Sequence, residues 1–180
     1  VKGERYVSNH NNITVFIDLV QNEKLDLAIV NMEQFNIDKF ESCILAKEQL
    51  MYVVSKKHPM AKKKCMTIED FRDENLLMFN VDSVQNELLK NRFDQLKLNP
   101  RIIMRSSQLY TALKFIENGS CGCFLFSDML PHFKQYKGIP LEPPIDVNIG
   151  IVWKKGNFLS HSAQLFIDFA MQYCSENITT

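Results

Sequence analysis

Apolar residues along the chain fall into two alternating kinds of segment. The first kind is short and nearly continuous. Residues 25–30 read Leu-Asp-Leu-Ala-Ile-Val, the pattern of a strand covered on both faces. Similar runs recur at 50–54, 76–79, 101–104, 123–126 and 149–153. The second kind is periodic. Ile13, Phe16, Ile17 and Val20 recur at i, i+3, i+4 and i+7, one stripe of a helix, and Asn9, Asn11 and Asn12 ahead of them are cap and turn formers. Val84, Leu88, Leu89, Phe93 and Leu96 predict a second helix, capped by Asp82 or Ser83. Leu109, Ala112, Leu113 and Ile116 predict a third, capped by Ser106 or Ser107 and stopped by Gly119. A last helix starts near Ser160, carries Ala163, Phe166, Ile167, Ala170 and Cys174 on one face, and frays into the polar residues 175–180. Strands and helices in alternation predict an α/β fold with right-handed crossovers and a mostly parallel sheet.

Composition narrows the function. A chain of 180 residues, 46% hydrophobic, has material for one domain or for two small lobes. Its 21 basic and 21 acidic residues cancel, so no global field draws it to nucleic acid or to an anionic membrane. Five lysines crowd into residues 56–64, a basic patch in isolation, but no aromatic side chain interleaves and a solvated loop is the expectation. Five scattered cysteines (Cys43, Cys65, Cys121, Cys123, Cys174) alongside eight methionines suggest free thiols in a reducing cytosol rather than a disulfide framework. Cys121-Gly122-Cys123 has not the C-x-x-C spacing of a zinc site, and His10, His58, His132 and His161 show no ligand spacing on a helix face. No metal and no cofactor are therefore expected. No apolar run approaches the roughly 18 residues of a membrane span, and no basic-then-apolar leader opens the sequence. The expectation is a soluble, cytoplasmic protein. Without a G-x-S-x-G, a P-loop or a G-x-G-x-x-G string, the chain is not read as an enzyme.

Several strings, in order, resemble the regulatory domain of LysR-type bacterial transcription regulators over essentially the whole chain. Glu23 and Lys24 followed by Leu25-Asp26-Leu27-Ala28 are similar to that family's G-E-L-D-L-A strand, with Glu23 where glycine is usual. Leu45, Glu48, Leu50, Val53 and Val54 resemble its L-x-x-E-x-L-x-x-V-V crossover strand. His58-Pro59-Met60-Ala61 resembles its H-P-L-A string, and Ile68-Glu69-Asp70-Phe71 stands where its x-x-D-L turn falls. Asn118 to Leu125 is similar to the A-G-x-G-I-A segment, with Phe126 where a proline is common, and Leu159-Ser160 with Phe166-Ile167 resembles the final helix.

The resemblance implies a type 2 periplasmic-binding-protein fold, two Rossmann-like α/β lobes joined by two crossover strands, with an effector in the cleft between them. Lobe I would comprise residues 1–54 and 152–180, and lobe II residues 55–151. The family's first strand and first helix have no counterpart ahead of residue 1, so lobe I would lack them. The hinge would run through residues 50–54 and 149–153. It further implies a homodimer or tetramer of the full-length protein, antiparallel through residues 1–7, and contact with promoter DNA only through a helix-turn-helix that this chain does not contain. An exported solute-binding protein of the same fold is the alternative.

Ligand clefts in open α/β sheets form at the carboxyl ends of strands, where helix N-termini present unpaired N–H groups. Three polar, uncharged places fit: Asn11, Asn12 and Thr14; the 80–83 turn with Asn80, Val81 and Ser83; and Ser106 with Ser107. Such groups suit a small hydrogen-bonding effector, a carboxylate for example. Each residue taken alone reads equally well as a cap or a turn former.

Overall fold

The computed structural model describes residues 13–34, 36–81 and 83–177. Helix α1 (Ile13–Gln21) leads into strand β1 (Leu27–Asn31). A long strand β2 (Phe40–Ser55) follows, then β3 (Asn75–Phe79), α2 (Val84–Gln95), β4 (Arg101–Ser106), α3 (Leu109–Ile116), β5 (Gly122–Phe126), β6 (Tyr136–Pro140), β7 (Asp146–Lys154) and α4 (His161–Asn177). The strands form a seven-stranded sheet in the order β1-β7-β2-β5-β3-β4, with β6 paired to β2.

β2 belongs to both halves of this sheet. From Phe40 to Gln49 it runs antiparallel to β7, with a register shift between Ile44 and Ala46. From Leu50 onward its neighbours are β5 and β6, both antiparallel. β1 pairs only with β7 among the described residues, also antiparallel. Between strands of the described residues, parallel pairing is confined to β3 with β4 and β3 with β5, beside one isolated parallel bridge of Met66 with Leu141. The expected mostly parallel sheet is thus corrected. Residues 40–49 and 146–154, which connect the halves, run in opposite directions and bring antiparallel ladders with them.

The second half of β2 is buried on both faces because helices cover both. Leu50, Tyr52 and Val54 point to one side, into a cluster with Phe71, Leu89, Phe93 and Phe124 under α2. Val53 points to the other, among Ala112, Leu113, Ile116, Cys123 and Leu125 under α3. In the other half, Ile17 and Val20 of α1 pack on Ala28, Val30, Phe40 and Val152. α4 lies against β2 through Ala163 and Ile167, both buried. Phe166, expected on that docked face, is exposed, as are Leu165, Phe169 and Tyr173. The buried stripe of α4 is narrower than its apolar composition suggests. Among the described residues no helix is long and apolar enough to cross a membrane, and all five cysteines are free.

Glu23 explains how the turn after α1 manages without glycine. It adopts a left-handed φ of 59°, its N–H reaches the Val20 carbonyl at 3.1 Å, and its carboxylate pairs with Lys154 of β7. A side chain in this conformation costs roughly 1–2 kcal/mol, so the substitution is a local strain that the ion pair only partly offsets, since surface pairs contribute ~0–1 kcal/mol.

His58, of the His-Pro string, is buried where β2 ends. Its Nδ1 accepts the Met60 N–H at 3.2 Å, which leaves the ring proton on Nε2, 3.5 Å from Glu74 Oε2. Burial pushes the His58 pKa below its ordinary 6.5, against the opposing pull of Glu74. The unfolded chain therefore binds this proton more tightly than the folded one. The stability at stake is fully present above pH 6.5 and is lost as pH falls through the folded value. Urea unfolding is expected to show this decline below pH 6.5, and His58→Gln to lack it; the same slope in both proteins would show that His58 is not its source. Asp70, held below its ordinary 3.8 chiefly by a hydrogen bond from Lys63, acts separately and only below pH 3.8.

Candidate functional site

β3, β4 and β5 end side by side, and their carboxyl ends feed α2, α3 and the 3-10 helix Ser127–His132. A cleft of about 220 Å³ opens there, lined by Phe79, Asn80, Ser83, Gln85, Ser107, Leu109, Leu125 and Met129. Its lining combines amides and hydroxyls with apolar groups and contains no titratable side chain. Small-ligand sites are built this way, an apolar wall for the body of the ligand and a few fixed polar groups for orientation. General acid-base chemistry needs a titratable group within hydrogen-bond reach, and this lining offers none.

Local sequence explains how these groups are held. The 80–83 turn closes with a Ser83 N–H to Asn80 carbonyl bond of 2.9 Å. Ser83 is the N-cap of α2, its Oγ accepting the Asn86 N–H at 3.3 Å, an interaction of about 1 kcal/mol. Asn86 is buried and spans the turn, donating to the Val81 carbonyl at 3.1 Å and accepting from Arg105 at 2.9 Å. The same Arg105 nitrogen donates to the Phe79 carbonyl at 3.1 Å, so β4 fixes the end of β3.

Of the residues proposed from sequence, Asn80, Ser83 and Ser107 are brought together in this cleft. Val81 is exposed and lines a different cleft of about 270 Å³, between α2 and β4. Ser106 does not cap α3. The cap is Gln108, without a side-chain bond, while Ser106 Oγ accepts the Gln108 N–H at 3.1 Å in a turn just before the helix. Ser107 makes no cap either, because the helix begins at Leu109 with Gln108 as its cap and its first turn is closed by the Ala112 N–H to Gln108 carbonyl bond of 3.1 Å. Asn11 and Asn12 lie outside the described residues, and Thr14 falls in α1 with its side chain outside them.

Sequence reasoning missed Phe79, Gln85, Leu109, Leu125 and Met129. Gln85, two positions past the Ser83 cap, and Phe79, at a strand end, were within reach of the strand-end rule. Met129 had no such signal, for it arrives on a turn of 3-10 helix remote in sequence from Ser83. A larger open cleft of about 630 Å³ lies at the start of α4, lined by Trp153, Phe158 and His161 among others. It sits at the end of β7, apart from the cleft at the carboxyl ends of β3, β4 and β5. No group of three or more His, Cys, Asp or Glu side chains that could hold a metal occurs among the described residues.

This architecture is an α/β domain whose halves share one long strand, and comparison with known proteins gives the family. The family model of the LysR substrate binding domain matches residues 9–175, and the chain belongs to that family. The transcriptional dual regulator GltC of Bacillus subtilis (strain 168) is 27% identical over 166 residues, which are 89% of this chain and 54% of that protein. The HTH-type transcriptional regulator YwbI of the same organism is 27% identical over 153 residues, 83% of this chain and 50% of its own. The chain thus spans about half the length of the curated relatives it matches. Among solved structures, the regulatory domain of CcmR from Synechocystis PCC6803 in complex with 2-PG superposes with a TM-score of 0.77 at 19% identity, covering 91% of this chain and 80% of that one. The effector binding domain of QuiR in complex with shikimate does so with a TM-score of 0.72 at 24% identity, covering 92% and 79%. These likenesses give the fold, that of periplasmic-binding-protein-like regulatory domains.

Proposed function

We propose that this domain is the sensing part of a LysR-type transcription regulator, and that it binds a small hydrogen-bonding effector, a carboxylate for example, at the cleft formed by Asn80, Ser83, Gln85 and Ser107. The observation that carries this reading is the cleft's place at the ends of β3, β4 and β5, with the uncharged polar groups of Asn80, Ser83, Gln85 and Ser107 and the apolar Phe79, Leu109, Leu125 and Met129 together in its lining. The effector-bound relatives support it by fold. A ligand that prefers one arrangement of the two halves shifts their population. In the full-length protein, a homodimer or tetramer in the cytoplasm, that shift reaches promoter DNA through a helix-turn-helix outside this chain. No catalysis enters this reading, and no cofactor or membrane. What supports a division into two lobes is the change of partner along β2. It favours boundaries near Leu50 and Asp146 rather than at Val54 and Val152.

A thermal-shift panel of small carboxylic acids, shikimate included, tests the assignment. A specific ligand at 100 times its Kd should stabilise the domain by about 2.7 kcal/mol. Ser107 is exposed, so Ser107→Trp should leave the unliganded melting temperature nearly unchanged while filling the cleft and abolishing that shift. An undiminished shift in Ser107→Trp would place the effector elsewhere. Ser83 is a poorer choice for this test, since it is 3% exposed and caps α2.

A further inference from the structure

Glu48, the acidic residue of the L-x-x-E string, lies on β2 opposite Val147 of β7. Just beyond it, between Gln49 and Leu50, β2 exchanges β7 for β5. Glu48 Oε2 accepts the Ser127 hydroxyl at 2.6 Å and the Asp128 N–H at 2.9 Å. Ser127 Oγ in turn accepts the Gln49 N–H at 3.0 Å. Both residues that open the 3-10 helix Ser127–His132 are thereby tied to β2 in a closed ring. Hydrogen bonds of a hydroxyl to a carboxylate at this length are the strong kind, about twice a neutral pair. Gln49 Nε2 also donates to Asp146 Oδ1 of β7 at 3.1 Å, so both crossover strands are engaged. Burial, and then the neighbouring Glu48 charge, hold the Asp128 carboxyl above its ordinary range, with His132 acting the other way.

The far end of this ring is the cleft. The helix tied by Glu48 carries Met129 into the cleft wall, and β5, which runs straight into that helix, supplies Leu125. The halves of the sheet are joined at this point by the backbone of β2 itself and by a Leu50 N–H to Ile145 carbonyl bond of 2.8 Å. The Glu48 ring is a side-chain brace across the same joint.

We propose that Glu48 is a positioning residue that makes the Met129 wall of the cleft and the crossover strands turn as one unit, so that the ring of Glu48, Ser127 and Gln49 sets the angle between the two halves. The regulatory meaning rests on the effector reading above, whereas the mechanical claim does not, and ligand-free measurements test it. Two readouts serve on the full chain: the relative orientation of the β1/β7 and β3/β4 segments from backbone residual dipolar couplings, and the Met129 methyl resonance. Glu48→Gln and Ser127→Ala should both rotate the halves in the same sense and displace the Met129 methyl by more than its linewidth. Asp70→Asn serves as the structural control. Asp70 also caps a 3-10 helix, Ile68–Phe71, through a Thr67 N–H bond of 3.0 Å, but wholly within one half. It should lower the melting temperature and move neither readout. An orientation and a methyl resonance unchanged from wild type in Glu48→Gln would overturn the proposal, as would the same rotation in Asp70→Asn. If Glu48→Gln does not fold, Ser127→Ala decides by the same two readouts. Failure of the effector reading would show separately, as a carboxylate panel without a hit beside an intact orientation response.

Discussion

Phe71→Ala should lower the unfolding free energy by about 3–5 kcal/mol, the range for an aromatic side chain removed from a filled core. Phe71 is fully buried and sits at the meeting point of three rings. Its centroid lies 4.9 Å from Tyr52, 5.3 Å from Phe124 and 6.2 Å from Phe93, the contacts edge-on, the arrangement in which aromatic pairs add roughly 0.5–1.5 kcal/mol beyond burial. Those neighbours come from β2, β5 and α2, so the void cannot be closed by shifting one element. For a chain of this size the loss corresponds to a fall of roughly 6–20 °C in melting temperature. Urea unfolding followed by tryptophan-independent far-UV dichroism measures it. A loss below about 1 kcal/mol would mean that the cluster relaxes around the gap far more than close packing allows.

The second large effect is expected from adding atoms. A Cβ on Gly122 would lie 2.4 Å from Tyr52 Cζ and 2.6 Å from its Oη, well inside contact distance, and Tyr52 cannot retreat. Its ring is wedged against Phe71 and Phe124, and its hydroxyl donates to Glu74 at 3.3 Å. Gly122→Ala should therefore cost about 3 kcal/mol, the upper end for overpacking. The coupling is the sharper test. In a Tyr52→Leu background the same alanine should cost much less, so the double variant should be more stable than the sum of the singles predicts. Additive losses would show that the clash lies with some group other than the Tyr52 ring.

The parts of this fold that sequence disclosed are those whose pattern is decided locally. α1, α3 and the strand at 50–54 are buried on faces set by their own periodicity, and Gly119, with φ of 80°, stops α3 as expected. β2 was legible only in its second half. The register shift between Ile44 and Ala46 swaps the faces of residues 40–49 midway, which erases the alternation. β6 contains Gly138 and ends at Pro140, so it reads as turn, yet it pairs with β2 along its length. Strand partners are settled by contacts distant in sequence, and no local pattern distinguishes β7 beside β2 from a parallel neighbour. At the cleft the same division holds. Ser83 announces itself as a helix cap, whereas Met129 depends on where the Glu48 ring carries its helix.

The sharing of β2 and β7 between distant parts of the chain orders the birth of the protein. Gln49 and Asp146 meet across 97 positions, and closing so long a loop from a disordered chain costs roughly 4 kcal/mol of entropy. Residues 50–145 can collapse on contacts of their own, since both clusters around Tyr52 and Val53 are filled from within that stretch, and doing so draws the two ends together. β1, whose strand neighbour among the described residues is β7, must wait longer. A nascent chain halted before Asp146 would hold β1 and the first half of β2 with unsatisfied backbone edges, a state that invites intermolecular pairing and the attention of chaperones.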